Sequence, residues 1–550
     1  MPGADAPSSS SPGAAAAAAD TPPPPHGEGS APDPQDGPLH LPVRPRAARS
    51  IVLLAVFGCA ACGLVYELAL VALGAYLLGN TITQASVVLS VMVFAMGIGS
   101  LAAKPLARRP AVNFALIEGA LSLVGGLSVL LLYAAFAWFS LYQPALVIVA
   151  FIIGALIGAE IPLLMTLIQR IRRQDATEAV ADLFAADYVG GLIGGLAFPF
   201  LLLPLLGLPQ GVLAVGALNA VLGMAVVLWL FRASLGRGSR ILLAAGLALV
   251  LIVLGAAFAL SGRFEIDARQ ALYRDPVVFA QRSDYQEIVL TRSLDGVDTR
   301  LFLNGDLQFS SLDEYRYHES LVHPAMNGPR GDVLVLGGGD GLAVREILGY
   351  GDVDRVTLVD LDPAVVALAR TEPAITGLNH GALDDDRVEV VAADAFNWLR
   401  DNRERFDVII ADMPDPSDVA TAKLYSVEFY TLAGRALADD GRMVVQAGSP
   451  YFAGEAYWSI ERSMAEAGLP ASSYNVDVPS FGNWGFHLAA AEGAPPVELP
   501  EDLPRTRFLD AAMLRAAQVF PKDRRPVDPQ PSTLLHPRVI TYHQQAWRGY

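Results

Sequence analysis

Between Ile51 and Ser261 the chain carries seven predominantly apolar stretches, at about 51–79, 84–103, 113–138, 143–168, 181–205, 210–231 and 240–261. Each is near or above the roughly 20 residues that cross the ~30 Å hydrocarbon core of a bilayer. The whole region of 211 residues holds only nine Lys/Arg and seven Asp/Glu. A soluble helical bundle needs a polar outer face on most of its helices, and these stretches have none to offer. The expectation is an α-helical membrane bundle of about seven spans over residues 49–262, with the lipid bilayer as a partner.

Basic residues cluster in alternate connections: Arg44, Arg46 and Arg49, then Lys104, Arg108 and Arg109, then Arg170, Arg172 and Arg173, then Arg232, Arg237 and Arg240. The connections near Asn80, Leu141 and Leu208 carry none. An excess of Lys/Arg marks cytoplasmic connections, which places the N-terminal tail in the cytoplasm. With an odd number of crossings, residues 262–550 then lie outside. That tail, residues 1–48, is rich in Pro, Ala and Ser and has too little apolar content to offset the entropy of ordering, so it reads as disordered. It lacks the charged start and cleavage pattern of a signal peptide.

The formal charge of −17 falls on residues 262–550, because the small charges of tail and bundle cancel. An acidic half of this kind repels nucleic acid and favours cationic ligands. Four carboxylates, Glu67, Glu118, Glu160 and Asp187, sit inside the apolar stretches. Ionisable groups at such depth line a pathway or hydrogen-bond between helices, and the sequence leaves both open. Runs such as Gly97-Ile98-Gly99-Ser100 and Gly190 to Gly195 allow helices to approach closely. Cys59 and Cys62, the only cysteines, have redox spacing but lie in a spanning segment, where packing is their reading.

After the bundle, residues 263–328 alternate short β-like runs with turn signals at Asp295-Gly296 and Asn304-Gly305, which predicts a small antiparallel β-domain. Residues 329–550 alternate strand and helix, with strands at Val333–Leu336, Val356–Asp360, Val388–Ala392, Val408–Ala411 and Met443–Gln446. That alternation predicts a doubly wound α/β domain of Rossmann-like, methyltransferase type. Its first strand runs into Gly337-Gly338-Gly339-Asp340-Gly341, and its second ends in Asp360, where a carboxylate can accept both hydroxyls of a ribose. The third and fourth strands end in Asp394 and in Asp412-Met413-Pro414-Asp415-Pro416. Four strand ends thus bring Asp340, Asp360, Asp394 and Asp412 to the sheet edge where open α/β folds bind ligands. Without a cation or sugar hydroxyls between them such carboxylates would repel. No His/Cys cluster suits a transition metal, and no metal site is assigned, although carboxylates alone leave magnesium open.

Taken in order, Tyr285-Gln286, Leu303-Asn304-Gly305, Asp313 to Glu319 with His323-Pro324, Gly337 to Gly341, Asp360-Leu361-Asp362, Asp394, Asp412 to Pro416, Leu424-Tyr425 and Gln446 resemble the spermidine synthase family of polyamine aminopropyltransferases. The resemblance covers about residues 275–550, and the apolar half is similar in architecture to membrane-embedded, multi-pass members. It implies transfer of an aminopropyl group from decarboxylated S-adenosylmethionine, a co-substrate, to putrescine or a similar polyamine, with no cofactor. It also implies Asp412 as catalytic proton acceptor, Asp415 holding the amine, and Asp340 and His318 on the aminopropyl or polyamine chain. Asp360 would take the ribose, Asp394 with Ala395 the adenine, and Gln286 the nucleoside side.

The chain departs from the family pattern at Asp360, where Glu is usual, and at Ala395 for Gly. It departs again at Met413-Pro414 for a Ser/Thr pair, and at Phe481 for a tyrosine, which leaves the acceptor amine open. Two other readings compete: a polyamine transporter or sensor with a non-catalytic nucleotide domain, motivated by the intramembrane carboxylates, and a methyltransferase of the same sheet topology. A donor made in the cytoplasm favours a cytoplasmic catalytic half, against the charge count. The sequence sets no oligomeric state, and a homo-oligomer stays open.

Overall fold

The computed structural model describes residues 42–78, 81–172, 176–524 and 528–547. The expected disordered tail falls largely outside them, and the first helix, Pro45–Leu78, begins just before the first apolar stretch. Among the described residues six helical bodies are long and apolar enough to cross a membrane: Pro45–Leu78, Thr81–Ala102, Pro110–Phe139, Tyr142–Gln169, Val180–Leu230 and Arg237–Leu272. Two of the seven expected stretches, 181–205 and 210–231, are thus one body of 51 residues. It is broken at Gly207, whose backbone (φ 69°, ψ 175°) is open to glycine alone and lies between Pro204 and Pro209. The chain doubles back there. Leu183 before the break and Leu230 after it share one apolar cluster with Ala48, Ala103 and Phe231. Phe198 and Val212, on either side of Gly207, share a second with Leu73, Leu132 and Tyr142.

These two clusters mark the ends of the bundle. The described basic connections, from Arg49 and Lys104–Arg109 to Arg232 and Arg237, gather at the first end, where Arg49 pairs with Asp182. Glycines set how closely the helices pack. A Cβ on Gly154 would lie 2.7 Å from the Met92 carbonyl oxygen, and Gly99, Gly158, Gly190 and Gly194 likewise abut neighbouring backbone. Of the Gly97 to Ser100 run, Gly97 has open space. Ser100 repairs a break in the neighbouring helix. Pro162 leaves the Gly158 carbonyl without its helical donor, and Ser100 Oγ donates to it at 2.7 Å.

At the second end sits the water-facing half. Phe264 packs its ring against Tyr133 and Trp138, and Arg269 bridges Glu265 (2.7 Å) and Glu287 (2.9 Å). Glu287 also accepts from the Tyr76 hydroxyl. Next come the antiparallel strands β1 (Val277–Arg282), β2 (Glu287–Arg292), β3 (Thr299–Leu303) and β4 (Asp306–Ser310), in sheet order β1-β2-β3-β4, as the turn signals predict.

The strands β5 (Asp332–Gly337), β6 (Arg355–Asp360), β7 (Val388–Ala392), β8 (Phe406–Asp412) and β9 (Leu437–Gln446) are parallel neighbours and match the expected set. Two strands beyond that set, β10 (Ala471–Val478) and β11 (Gly482–Ala490), extend the sheet antiparallel to the order β10-β11-β9-β8-β5-β6-β7. Both faces are covered. Val333 and Val335 point into one core, and Leu334 and Leu336 into the other, the period-two alternation of a strand buried on both sides.

Candidate active site

Strand order places the switch point between β5 and β8, whose neighbours run off in opposite directions. Ligands of open α/β sheets bind beyond the strand ends at such a point. There Gly337 is in register with Asp412. Gly337 and Gly338 have φ of 80° and 68°, which bends the loop after β5 across the end of β8. A Cβ on Gly338 would lie 3.1 Å from Asp412 Oδ2, and one on Gly339 would lie 2.7 Å from Asp360 Oδ2. The glycines therefore hold backbone against carboxylates. Asp360 is fixed by two main-chain donors, Gly339 N to Oδ2 (2.9 Å) and Asp362 N to Oδ1 (2.8 Å). Asp340 Oδ1 accepts from Leu342 N at 2.9 Å. Asp340, Asp360 and Asp412 are each half-buried along this rim.

Burial pushes all three carboxylates up. Asp340 and Asp360 both reach about 6, Asp340 against the opposing pull of His318 and Asp360 against its two backbone hydrogen bonds. Asp412 is raised by burial against the lowering effects of His318 and of the Tyr317 hydroxyl. That hydroxyl donates to Asp412 Oδ1 at 2.6 Å. Burial and the Asp412 carboxylate keep the phenol protonated, so Tyr317 stays a donor. Its neighbour on the helix Glu314–Val322, His318, is 2 % exposed and turns Nδ1 to the Glu314 carbonyl (2.8 Å) and carboxylate (3.0 Å). Burial alone would depress the imidazole, and Glu314, Asp340 and Asp412 together raise it. Glu314 is gripped in turn by Arg345, with both terminal nitrogens at 2.9 Å from its oxygens.

On the other side of Asp412, Gln446 at the end of β9 gathers the loop. Its Nε2 donates to the Met413 carbonyl, to Tyr425 Oη (2.7 Å) and to Asp415 Oδ1 (3.3 Å). Its Oε1 accepts from Trp484 Nε1 at 3.1 Å. Tyr425 donates to the Pro414 carbonyl at 2.9 Å, so the Met413-Pro414 pair is held through its backbone. Phe481 packs at a tilt against Tyr317 and Trp484, with ring centroids 6.3 and 5.2 Å apart. His543, on the helix Arg538–Trp547, stands 3.6 Å from Asp415 Oδ2.

Residues 314–501 match the family model of the spermine/spermidine synthase domain. Polyamine aminopropyltransferase 1 of Streptomyces coelicolor is 59% identical over 509 residues, spanning 92% of this chain and 96% of that protein. This chain belongs to the polyamine aminopropyltransferases. The similarity extends through the apolar half: the polyamine aminopropyltransferase of Mycobacterium tuberculosis H37Rv is 45% identical over 91% of this chain and 97% of its own length. A solved spermidine synthase in complex with the transition state analogue AdoDATO aligns at 25% identity and a TM-score of 0.41, covering 45% of this chain and 86% of that one.

The rest of the sequence-expected site of this aminopropyltransferase lies around the same rim. Gln286, between β1 and β2, donates from Nε2 to Asp362 Oδ2 at 3.0 Å. Asp394 caps the helix Ala395–Asp401 by accepting from Asn397 N, and it also binds Lys423 Nζ at 2.7 Å. Burial opposes, but Lys423 and that backbone donor hold the Asp394 carboxyl below its usual range. Ala395 is buried as the first residue of that helix. In the sequence Tyr317, Glu314, Tyr425 and Gln446 stand only as parts of motifs, and Lys423 carries no signal at all. Their roles arise from partners far along the chain.

Proposed function

We propose that this aminopropyltransferase moves the aminopropyl group of decarboxylated S-adenosylmethionine to putrescine, giving spermidine and methylthioadenosine. The carrying observation is Asp412: Tyr317 occupies Oδ1, and Oδ2 faces the glycine loop on a rim shared with Asp340 and Asp360. The near amine of the acceptor loses its proton to Asp412, and its lone pair attacks the carbon beside the sulfonium. A carbon–nitrogen bond forms, the carbon–sulfur pair returns to sulfur, and a neutral thioether leaves. No redox or metal chemistry is required, so none is assigned. Asp360 and Gln286 take the ribose side of the donor, and Asp394 with Ala395 the adenine. His318 and Asp340 face the aminopropyl chain, where Asp340 attracts a bare ammonium and disfavours a donor that keeps its carboxylate. Asp415, held by Gln446, anchors the far ammonium so that the near nitrogen lies in line.

Detergent-purified full-length protein, given both substrates, should release methylthioadenosine. Binding of the donor without release would return the sensor reading, and methyl transfer from S-adenosylmethionine would return the methyltransferase reading.

We further read the bundle as membrane-embedded with seven passes, the hairpin at Gly207 supplying two. A body of 51 residues would be about 76 Å long if straight, more than twice a bilayer core, so a turn within it is required. The basic connections share the end opposite the catalytic half. Positive-inside orientation therefore favours a catalytic half facing away from the cytoplasm, because large translocated domains do not count in that rule. Donor supply argues the other way, and the orientation is directly testable. Leu535 is 87% exposed, whereas native Cys59 and Cys62 are buried. With donor supply deciding, Leu535→Cys should react with an impermeant maleimide only after permeabilisation. Labelling in intact cells would place the catalytic half outside, as the charge count has it.

A further inference from the structure

Within the bundle, far from the aspartate rim, Cys59, Glu118 and Glu160 meet, with their Sγ and carboxylate oxygen atoms all within 4.8 Å of one another. They come from three helices and are 1%, 0% and 5% exposed. No Lys or Arg pairs with either carboxylate among the described residues. Asn219 reaches the group from a fourth helix, donating from Nδ2 to Glu118 Oε2 (2.8 Å) and Ser122 Oγ (3.2 Å). Its own Oδ1 is buried without a donor, as is Glu118 Oε1. Buried acceptors are seldom left unpaired, because each costs about 1–3 kcal/mol. Glu118 belongs to the group itself, and Asn219 is the side chain that holds it.

The backbone is shaped to make this meeting possible. A π-helical turn, Val221–Ala225, follows Asn219 directly, and its Gly223 abuts the Glu118 side chain where any Cβ would collide. Pro162 interrupts the helix two residues past Glu160. Such π-turns carry a helical irregularity that recurs at functional sites.

We propose that Cys59, Glu118 and Glu160, with Asn219 holding Glu118 by its Nδ2 hydrogen bond, form an intramembrane site for a divalent metal ion of the zinc class. Zinc–sulfur and zinc–oxygen bonds of about 2.3 and 2.0–2.2 Å put ligand atoms about 3.5 Å apart, so the group must contract by about 1 Å. The sulfur ligand disfavours magnesium and calcium, which prefer all-oxygen sites. With no cationic partner among the described residues, the thiolate and two carboxylates carry up to three negative charges, two of which a dication offsets. The proposal is independent of the aminopropyl chemistry, which uses no metal.

Cobalt(II) is the probe. Full-length protein in detergent, stripped with chelator and titrated with Co²⁺, should take up one ion per chain. Tetrahedral visible bands and a near-ultraviolet thiolate-to-cobalt charge-transfer band should appear, and Zn²⁺ should displace both. Cys59→Ser should remove the charge-transfer band, Cys62→Ser should leave it, and Asn219→Ala should weaken binding about 10–100-fold. Substoichiometric cobalt in the unmodified protein, or a charge-transfer band that survives Cys59→Ser, would overturn the site. The first of these readouts depends on no variant folding.

Discussion

Asp412→Asn changes one oxygen to a nitrogen at the rim, and the structure says where the loss should fall. The amide oxygen can still accept from Tyr317 at the position of Oδ1, where the present bond is 2.6 Å, so the fold and the glycine loop keep their support. The other position, beside Gly338, would present an N–H where the amine must give up a proton. A positioned general base is worth about 10²–10⁴ in rate, or about 3–5 kcal/mol of barrier. The fall should therefore appear in kcat, with the KM of the donor changed little. Tyr317→Phe separates position from charge. It removes a hydrogen bond to a carboxylate, worth about 1.5–3 kcal/mol, so kcat should drop by one to two decades. That hydrogen bond lowers the Asp412 pKa against the effect of burial. Without it the pKa rises, and the acid limb of kcat/KM should move to higher pH. Both variants are assayed by methylthioadenosine release across pH. If Asp412→Asn stays within about five-fold of the parent, Asp412 is not the base. An acid limb that stays fixed in Tyr317→Phe breaks the link between the two residues.

Four further outcomes are expected. Asp340, pushed to about 6, should protonate as pH falls from 7 to 5, so KM for the cationic substrates should climb across that window; a flat KM there contradicts its role as a charged partner. Glu314 is 1% exposed, and although burial alone would raise it, His318 and Arg345 hold it down to about 2. A depressed carboxylate stabilises the fold above its unfolded pKa of about 4.3 and loses that contribution as pH falls toward 2. Glu314→Gln leaves Arg345 with Glu346 as its remaining carboxylate (2.6 Å), so it should cost less than the about 3–5 kcal/mol of an unpaired buried charge, and it should flatten the acid limb of a thermal-melt profile. Lys423 competes for Asp394 through a part-exposed pair worth at most about 1 kcal/mol, so Lys423→Met should lower donor KM by up to about five-fold, and a rise would show that Lys423 assists binding. Gly158→Val would push against Met96 backbone rather than a yielding side chain and should lower the melting temperature of the solubilised protein, an effect that overpacking puts at about 1–3 kcal/mol.

The rim aspartates were legible because each stands at or just past a strand end, and a strand buried on both faces announces itself as a short apolar run closed by a polar residue or a glycine loop. What holds those aspartates was not legible. Tyr317 is 95 residues from Asp412, and Lys423 is 29 from Asp394. Each pairing depends on how β5, β8 and the intervening helices stack, which no local pattern states. β10 and β11 escaped for a related reason. Ala471–Val478 and Gly482–Ala490 are rich in Ser, Asn and Gly, and they become strands because β9 offers an edge with which to pair. Their position matters to the site, since Trp484 on β11 orients Gln446.

In the bundle the relation between sequence and structure is reversed. Hydropathy alone finds the helices long and apolar enough to cross a membrane, since length and apolar content are what a bilayer reads. It divides 181–205 from 210–231 without revealing that Gly207 joins them as a hairpin, and it finds Glu118 and Glu160 without indicating that they meet. The glycines decide both. Gly207 supplies the one backbone conformation that returns the chain, and Gly223 vacates the volume that Glu118 fills. A residue without a side chain leaves no hydropathy signal, yet in lipid, where apolar contact does not favour one helix partner over another, close approach at glycine determines which helices touch. The carboxylates of the bundle are therefore visible in sequence as isolated anomalies, and become a group only once the small residues have fixed the packing.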